Sequence, residues 1–305
     1  MKTYRRWRTW VMVVMMIGAV LLGSFVEWYY DDKQTPEGAW RDEAKESRQE
    51  YAKMLEDPKF SAEAKENIQG WIATIDYRLE HDIRPTDGTM WDGILGSAEL
   101  IMLITLFTVI IAGDSMAGEF SSGTIKLLLI RPANRLKIMA AKYVSMIQFG
   151  LLLLVLLFVV SVLANGLLYQ FQLMDLPLLQ VDADGQVREF NMVGHLWKTY
   201  LLNGVSTIMF VTMAFMISTA FRSSAMAIGV SIFALFAGTI LMELLQRYEW
   251  SKYLLFANID LSQHLVGRPY QPDMTMAFSI GVLAAYFIVF NLVAWLVFTR
   301  RDVAA

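Results

Sequence analysis

Six stretches of this chain are long, apolar and nearly free of charge, and no other feature limits its fold as strongly. They cover residues 9–26, 91–113, 143–168, 196–221, 225–245 and 274–298. A run of about 18 or more apolar residues is long enough to cross the hydrocarbon core of a bilayer as a helix. Inside lipid every backbone N–H and C=O must be satisfied within the protein, which favours helices for such runs. Only 18% of the 305 residues are charged, and they collect in the connections. The expected fold class is therefore an all-α polytopic membrane protein with six transmembrane helices. With no cysteine in the chain, disulfides, thiolate catalysis and Cys-ligated metal sites are excluded.

The distribution of charge gives an expected orientation. The chain starts MKTYRRWR, with Lys2, Arg5, Arg6 and Arg8 ahead of the first apolar run. That run is long for a signal peptide, and no small-residue cleavage site precedes Glu27, so it reads as an uncleaved first span with a cytoplasmic N-terminus. Arg222, Arg300, Arg301 and a basic central connection fall on the same side. Residues 27–92 hold seventeen carboxylates against nine basic residues, which suits the outer face. The expectation is a multi-pass protein of a bacterial plasma membrane with both termini cytoplasmic. It divides into residues 1–26 (N-terminus and first span), an extracellular helical hairpin over 27–90, and a core over 91–305 with a coupling segment at 114–142.

The connections carry their own signals. Thr35-Pro36 marks a helix start and Asp57-Pro58 its end; Ser61 then caps a second helix. That second helix has an apolar stripe of Ala64, Ile68, Trp71, Ile72, Ile75 and Leu79. Two antiparallel helices with facing stripes are expected, serving as a packed lid or as a docking surface. LLQVDADGQVREF reads as a β-hairpin turning at Asp184-Gly185. Residues 247–274 suit an interfacial helix or a short re-entrant pair.

Polar groups within the spans are the candidates for a translocation path. Glu99 lies about 12 Å along its helix from Trp91. A carboxylate at that depth faces protein or water, as a substrate or proton contact or as a hydrated group near the boundary. Asn203, Thr207 and Thr212, with Ser206, Ser218 and Thr219, give the fourth span a polar stripe that either glues helices together or lines a path. The three histidines, His81, His195 and His264, have no metal-ligand spacing. Aromatic residues gather at the expected interfaces, as in a membrane belt rather than a nucleic-acid stacking platform. There is no G-x-x-x-x-G-K-[ST] phosphate loop, so ATP is not bound here in that manner.

The central connection reads DSMAGEFSSGTIKLLLIRPANRLKIMAAK. Its run Glu119-Phe120-Ser121-Ser122-Gly123-Thr124, followed by Leu127, Leu128, Leu129, Pro132, Arg135 and Lys142, resembles the cytoplasmic motif of ABC-2 type transporter permeases. Asn134 and Ser121 depart mildly from that pattern, and the outer insertion is larger than in minimal members. The resemblance implies a permease subunit of an ATP-driven ABC exporter, with no cofactor of its own. ATP and Mg would sit on separate ABC ATPase subunits, and a second permease chain, the same or related, would complete the path. Glu119, Phe120, Gly123, Thr124, Leu127, Leu128, Pro132 and Arg135 would then couple to the ATPase through a cytoplasmic coupling helix. From the residues themselves, a helix over about 115–130 would be amphipathic, with Gly118 and Gly123 permitting close backbone approach. Lys137 and Lys142 suit lipid headgroups better than a partner. Two other readings stay open: an ion-gradient-driven secondary transporter using Glu99 or Glu243, and a membrane-anchored sensor or assembly factor whose hairpin binds an outside partner.

Overall fold

A computed structural model describes residues 7–31, 39–125, 134–182, 185–265, 267 and 269–300. It is mostly helical and contains six helices long and apolar enough to cross a membrane: Trp7–Tyr30, Met90–Ser121, Arg135–Leu168, Met192–Ala220, Ser224–Leu245 and Met276–Arg300. The protein is a multi-pass membrane protein of the expected class. By element, the spans are α1 (Trp7–Asp31), α4 (Met90–Ala98) with α5 (Ile101–Ser121), α6 (Arg135–Leu168), α7 (Met192–Ala220), α8 (Ser224–Leu245) and α10 (Met276–Arg300). Between the first two spans lie α2 (Trp40–Glu56) and α3 (Ala62–His81). The strands β1 (Leu178–Val181) and β2 (Val187–Phe190) precede α7, and the short α9 (Leu255–Asn258) precedes α10. At 34 residues, α6 is about 51 Å long, well beyond a hydrocarbon core of about 30 Å.

The chain divides into two compact units. One comprises Met1–Gly18, Glu99–Leu157 and Thr199–Ala305. Its core is built from Val109 and Ala112 on α5, Met146 on α6, Met209, Phe210 and Met213 on α7, and Leu235 on α8. Helices α5 and α8 pack closely because α5 is small where they meet: a Cβ on Gly113 would stand 3.2 Å from the Ile228 Cα. The segment before α10 enters this core through Leu255, Ile259 and Leu261. It is held there by a hydrogen bond from the Ser206 hydroxyl to the Ile259 carbonyl and by Phe256, whose ring seats on Gly238. Its helical pieces are single turns, Glu249–Tyr253, Leu255–Asn258 and Leu261–His264, rather than the one interfacial helix weighed above.

The other unit comprises Ala19–Ala98 and Phe158–Lys198. Here α2 and α3 pair as a hairpin. Arg48 bridges Asp76 at 2.5 Å, Arg41 bridges Asp82, and the Tyr51 and Trp71 rings lie 5.3 Å apart. Ser61 caps α3 by accepting from the Ala64 N–H, as its sequence position predicts. The first helix begins at Trp40, and Thr35-Pro36 lies outside the described residues. The β-hairpin forms in the expected place, antiparallel, with Leu178 opposite Phe190. It rests on α3, where Val181 packs over Gly70 and the Tyr77 hydroxyl donates to Glu189. Burial and the nearby Glu189 carboxylate both hold the Tyr77 phenol above its ordinary range.

Candidate functional site

Two carboxylates are buried near the end of α5, and each has recruited a cation from another element of the same unit. Asp114 is 8% exposed and Glu119 6%. The Arg8 guanidinium, in the first turn of α1, donates to Asp114 Oδ2 at 2.5 Å, and the Ser224 hydroxyl at the start of α8 donates to Oδ1. Lys142, early in α6, donates to Glu119 Oε1 at 3.0 Å and to the Ser115 carbonyl at 2.6 Å. The Thr124 hydroxyl donates to Glu119 Oε2. Removing an ion from water is costly unless it is paired and hydrogen-bonded, and both carboxylates meet that condition. Gly118 makes room for the arrangement, since a Cβ there would lie 2.5 Å from Asp114 Oδ1.

The same cluster ends the helix. Ser122 and Gly123 donate their N–H groups to the Gly118 and Phe120 carbonyls, both at 3.1 Å, and Gly123 adopts φ +69°. That left-handed residue after the last helical turn is a common helix stop. The space around Gly123 is open, so its role is conformational and not the close approach expected above. Replacing Gly123 by Val should cost about 1–2 kcal/mol through the left-handed backbone alone, whereas Asn should be tolerated. Thermal melts of the two variants in detergent would separate them.

The structure alters the reading of the central stretch. Residues 115–121 are the last turns of α5 and continuous with the second span, not the start of a separate amphipathic helix over 115–130. Phe120 packs against a small core of Met116, Ile125, Met139, Phe215, Ala294 and Phe298. Lys142 is committed to Glu119 and Ser115 rather than left for headgroups. Arg135 opens α6. Leu127, Leu128 and Pro132 lie outside the described residues.

One further contact joins α5 to α7. The Ser218 hydroxyl donates to the Gly113 carbonyl at 2.6 Å and accepts from the Met116 and Ala117 N–H groups at 2.9 and 3.0 Å. Gly113 O and Ala117 N are the two ends of one turn of α5, so a side chain from a neighbouring helix has entered its hydrogen-bond ladder. The expected path residues are likewise bound up in helix contacts. Thr207 lies 3.3 Å from the Thr105 hydroxyl, and Thr212 lies 2.6 Å from the Tyr143 hydroxyl. Asn203 donates to the Thr199 carbonyl of its own helix. Glu99 is exposed, at the break between α4 and α5.

Arg8, Asp114 and Ser224 are not among the site residues expected from the sequence, whereas Ser218 belongs to the polar stripe expected there and joins two helices. A signal was available: carboxylates at the end of one apolar run, with cations at the start of two others.

The family described as a protein of unknown function, DUF2705, matches residues 64–304, a range that includes the whole cluster except Arg8. The chain belongs to the DUF2705 family. Over 311 aligned residues it is 40% identical to the uncharacterized protein YhcI of Bacillus subtilis, covering 100% of this chain and 97% of the relative. It is 30% identical to the uncharacterized membrane protein YdbK of the same organism, over 67% of this chain and 79% of that one. These matches correct the family drawn from the central motif. The stretch that resembles ABC-2 permeases falls within a DUF2705 match, and neither relative carries that designation. Within that stretch, Glu119 and Thr124 serve a buried ion pair and Gly123 serves a helix stop.

Proposed function

We propose that this DUF2705 chain is the membrane subunit of an ATP-driven exporter that draws its energy from a separate ATPase chain. The observation that carries the reading is the Asp114–Glu119 cluster. It ties the starts of α1, α6 and α8 to the end of α5, so a partner moving the connection between α5 and α6 would act on four spans together. That connection and the first turn of α6 are rich in basic residues, with Lys126 and Arg131 followed by Arg135 and Lys137. The chain itself has no phosphate loop. In this reading both termini are cytoplasmic, the membrane is the bacterial plasma membrane, and a second permease chain completes the path.

The test is purification from the native membrane with the connection intact. A stoichiometric ATPase chain should accompany the protein, with vanadate-sensitive hydrolysis. Glu119→Ala should lower that hydrolysis or the co-purification at least about ten-fold, while the chain still inserts. Recovery of the protein without any ATPase overturns the reading. One observation favours a second reading. Glu99 is a carboxylate exposed at a helix break inside a span, the kind of group an ion-gradient-driven transporter uses. If Glu99→Gln abolishes proton-dependent transport and no ATPase is found, the secondary-transporter reading takes precedence.

A further inference from the structure

In the unit formed by Ala19–Ala98 and Phe158–Lys198, a cavity of about 320 Å³ opens where three spans terminate. Trp28 lies near the end of the first span, Met90 begins the second and Leu168 ends the third, and all three line the cavity. Residues at span ends sit at the depth of the lipid headgroups. The cavity is therefore at headgroup level, and its volume is at the small end of the range for ligand sites.

Its walls offer donors. Arg84 is the single charged residue among the described lining residues, and Gln170 and Gln172 add two amides. Among the described residues no side chain pairs with the Arg84 guanidinium, and neither glutamine side chain has a protein partner. These three side chains, Arg84, Gln170 and Gln172, are thus uncommitted among the described residues, unlike the groups of the Asp114–Glu119 cluster.

The cavity is also built rather than incidental. Gln170, Phe171 and Leu173 all have φ between +54° and +56°, a left-handed conformation that costs non-glycine residues energy. The fold holds them there. The Phe171 N–H donates to the Gly166 carbonyl at 2.8 Å, and the Phe171 ring occupies the place a Cβ on Gly166 would need. The Trp91 indole donates to the Leu173 carbonyl at 2.9 Å. On the other wall, Gly88 at φ +67° and the Thr89 N–H bonded to the Thr86 carbonyl fix the turn that follows Arg84 and contributes Gly88 and Thr89 to the lining.

We infer that this cavity binds a phosphate ester, with Arg84 supplying the charge and Gln170 and Gln172 the flanking hydrogen bonds. A guanidinium and two amides match a compact anion with several acceptor oxygens. At headgroup depth the abundant anion of that kind is a phospholipid phosphodiester; a soluble phosphate ester has the same recognition chemistry. The site does not depend on the transport reading, because it uses none of the residues of the Asp114–Glu119 cluster.

The experiment uses the full chain in detergent and three probes: dihexanoyl-phosphatidylglycerol, glycerol 3-phosphate and uncharged dihexanoylglycerol. The phosphatidylglycerol should bind saturably at one site per chain. Arg84→Gln should weaken it at least about ten-fold, as expected for a lost charge-assisted contact. Gln170→Glu, at an exposed position that leaves folding intact, should weaken it comparably by placing a carboxylate in the wall. If glycerol 3-phosphate binds as tightly as the lipid, the site stands and its ligand is soluble; if it binds far more weakly, the ligand is the lipid headgroup. Equal binding of dihexanoylglycerol and the phosphatidylglycerol overturns the proposal. So does unchanged affinity in both variants, or no saturable binding of either phosphate probe to the wild-type chain.

Discussion

Lys142→Met should destabilise this protein by about 3–5 kcal/mol, the cost of leaving one member of a buried ion pair without its partner. The Glu119 side chain is 7% exposed, so its carboxylate has little access to water once the ammonium is gone. Lys142 also takes up the Ser115 carbonyl near the end of α5, which would lose that donor as well. The check is a double-mutant cycle in detergent, read by thermal or denaturant unfolding. Glu119→Gln combined with Lys142→Met removes both charges and should recover most of the loss, because a neutral pair no longer carries the desolvation penalty. If Lys142→Met melts with the wild type, the ammonium is not committed to Glu119 and belongs with the headgroups after all.

Gly93→Val should be comparably severe, for a steric reason. The point where a Cβ would sit on Gly93 lies 2.0 Å from Asn165 Oδ1 and 3.0 Å from Glu27 Oε2. Asn165 is fully buried, and its amide is held in place by a hydrogen bond from Nδ2 to the Ser161 carbonyl, so it has little room to withdraw. Inserting bulk into a close-packed contact costs about 1–3 kcal/mol and more where backbones must separate. Gly96→Ala should be milder: the nearest atom, Glu27 Oε1, is 2.9 Å away at the end of a flexible side chain. The informative comparison is Gly93→Ala with and without Asn165→Ala. If shortening Asn165 restores folded protein and its melting temperature, the clash is the cause. Equal loss in both backgrounds would point elsewhere.

Much of the architecture was legible in the sequence because the bilayer imposes a strong pattern. Each of the six apolar runs coincides with a spanning helix, since an uncharged run of that length has few alternatives. The Ser61 cap and the turn at Gly185 were legible because they depend on neighbours a few residues away. What the sequence did not reveal are pairings across the chain. Arg8 reaches Asp114 over 106 positions and Lys142 reaches Glu119 over 23. Nothing local to Lys142 distinguishes a lysine bound for a buried carboxylate from one bound for a headgroup. The same applies to the polar stripe of α7: hydroxyl spacing marks a face, but only the neighbouring helix decides that Thr207 meets Thr105 and Thr212 meets Tyr143. The central motif misled for a related reason. Its residue types pointed to the wrong family, because they also suit local needs: Gly118 accommodates Asp114 and Gly123 ends a helix.

The Ser218 hydroxyl that enters the ladder of α5 has a mechanical consequence. An intact transmembrane helix resists bending because opening a backbone bond in lipid exposes polar groups with nothing to satisfy them. Between Gly113 and Ala117 a side-chain hydroxyl already serves the carbonyl at one end and the amide at the other. The helix can change its angle there, with the hydroxyl following, at little cost in unsatisfied groups. That turn contains Asp114, so the place where α5 can adjust its angle coincides with the first of the two buried carboxylates and lies ahead of Glu119.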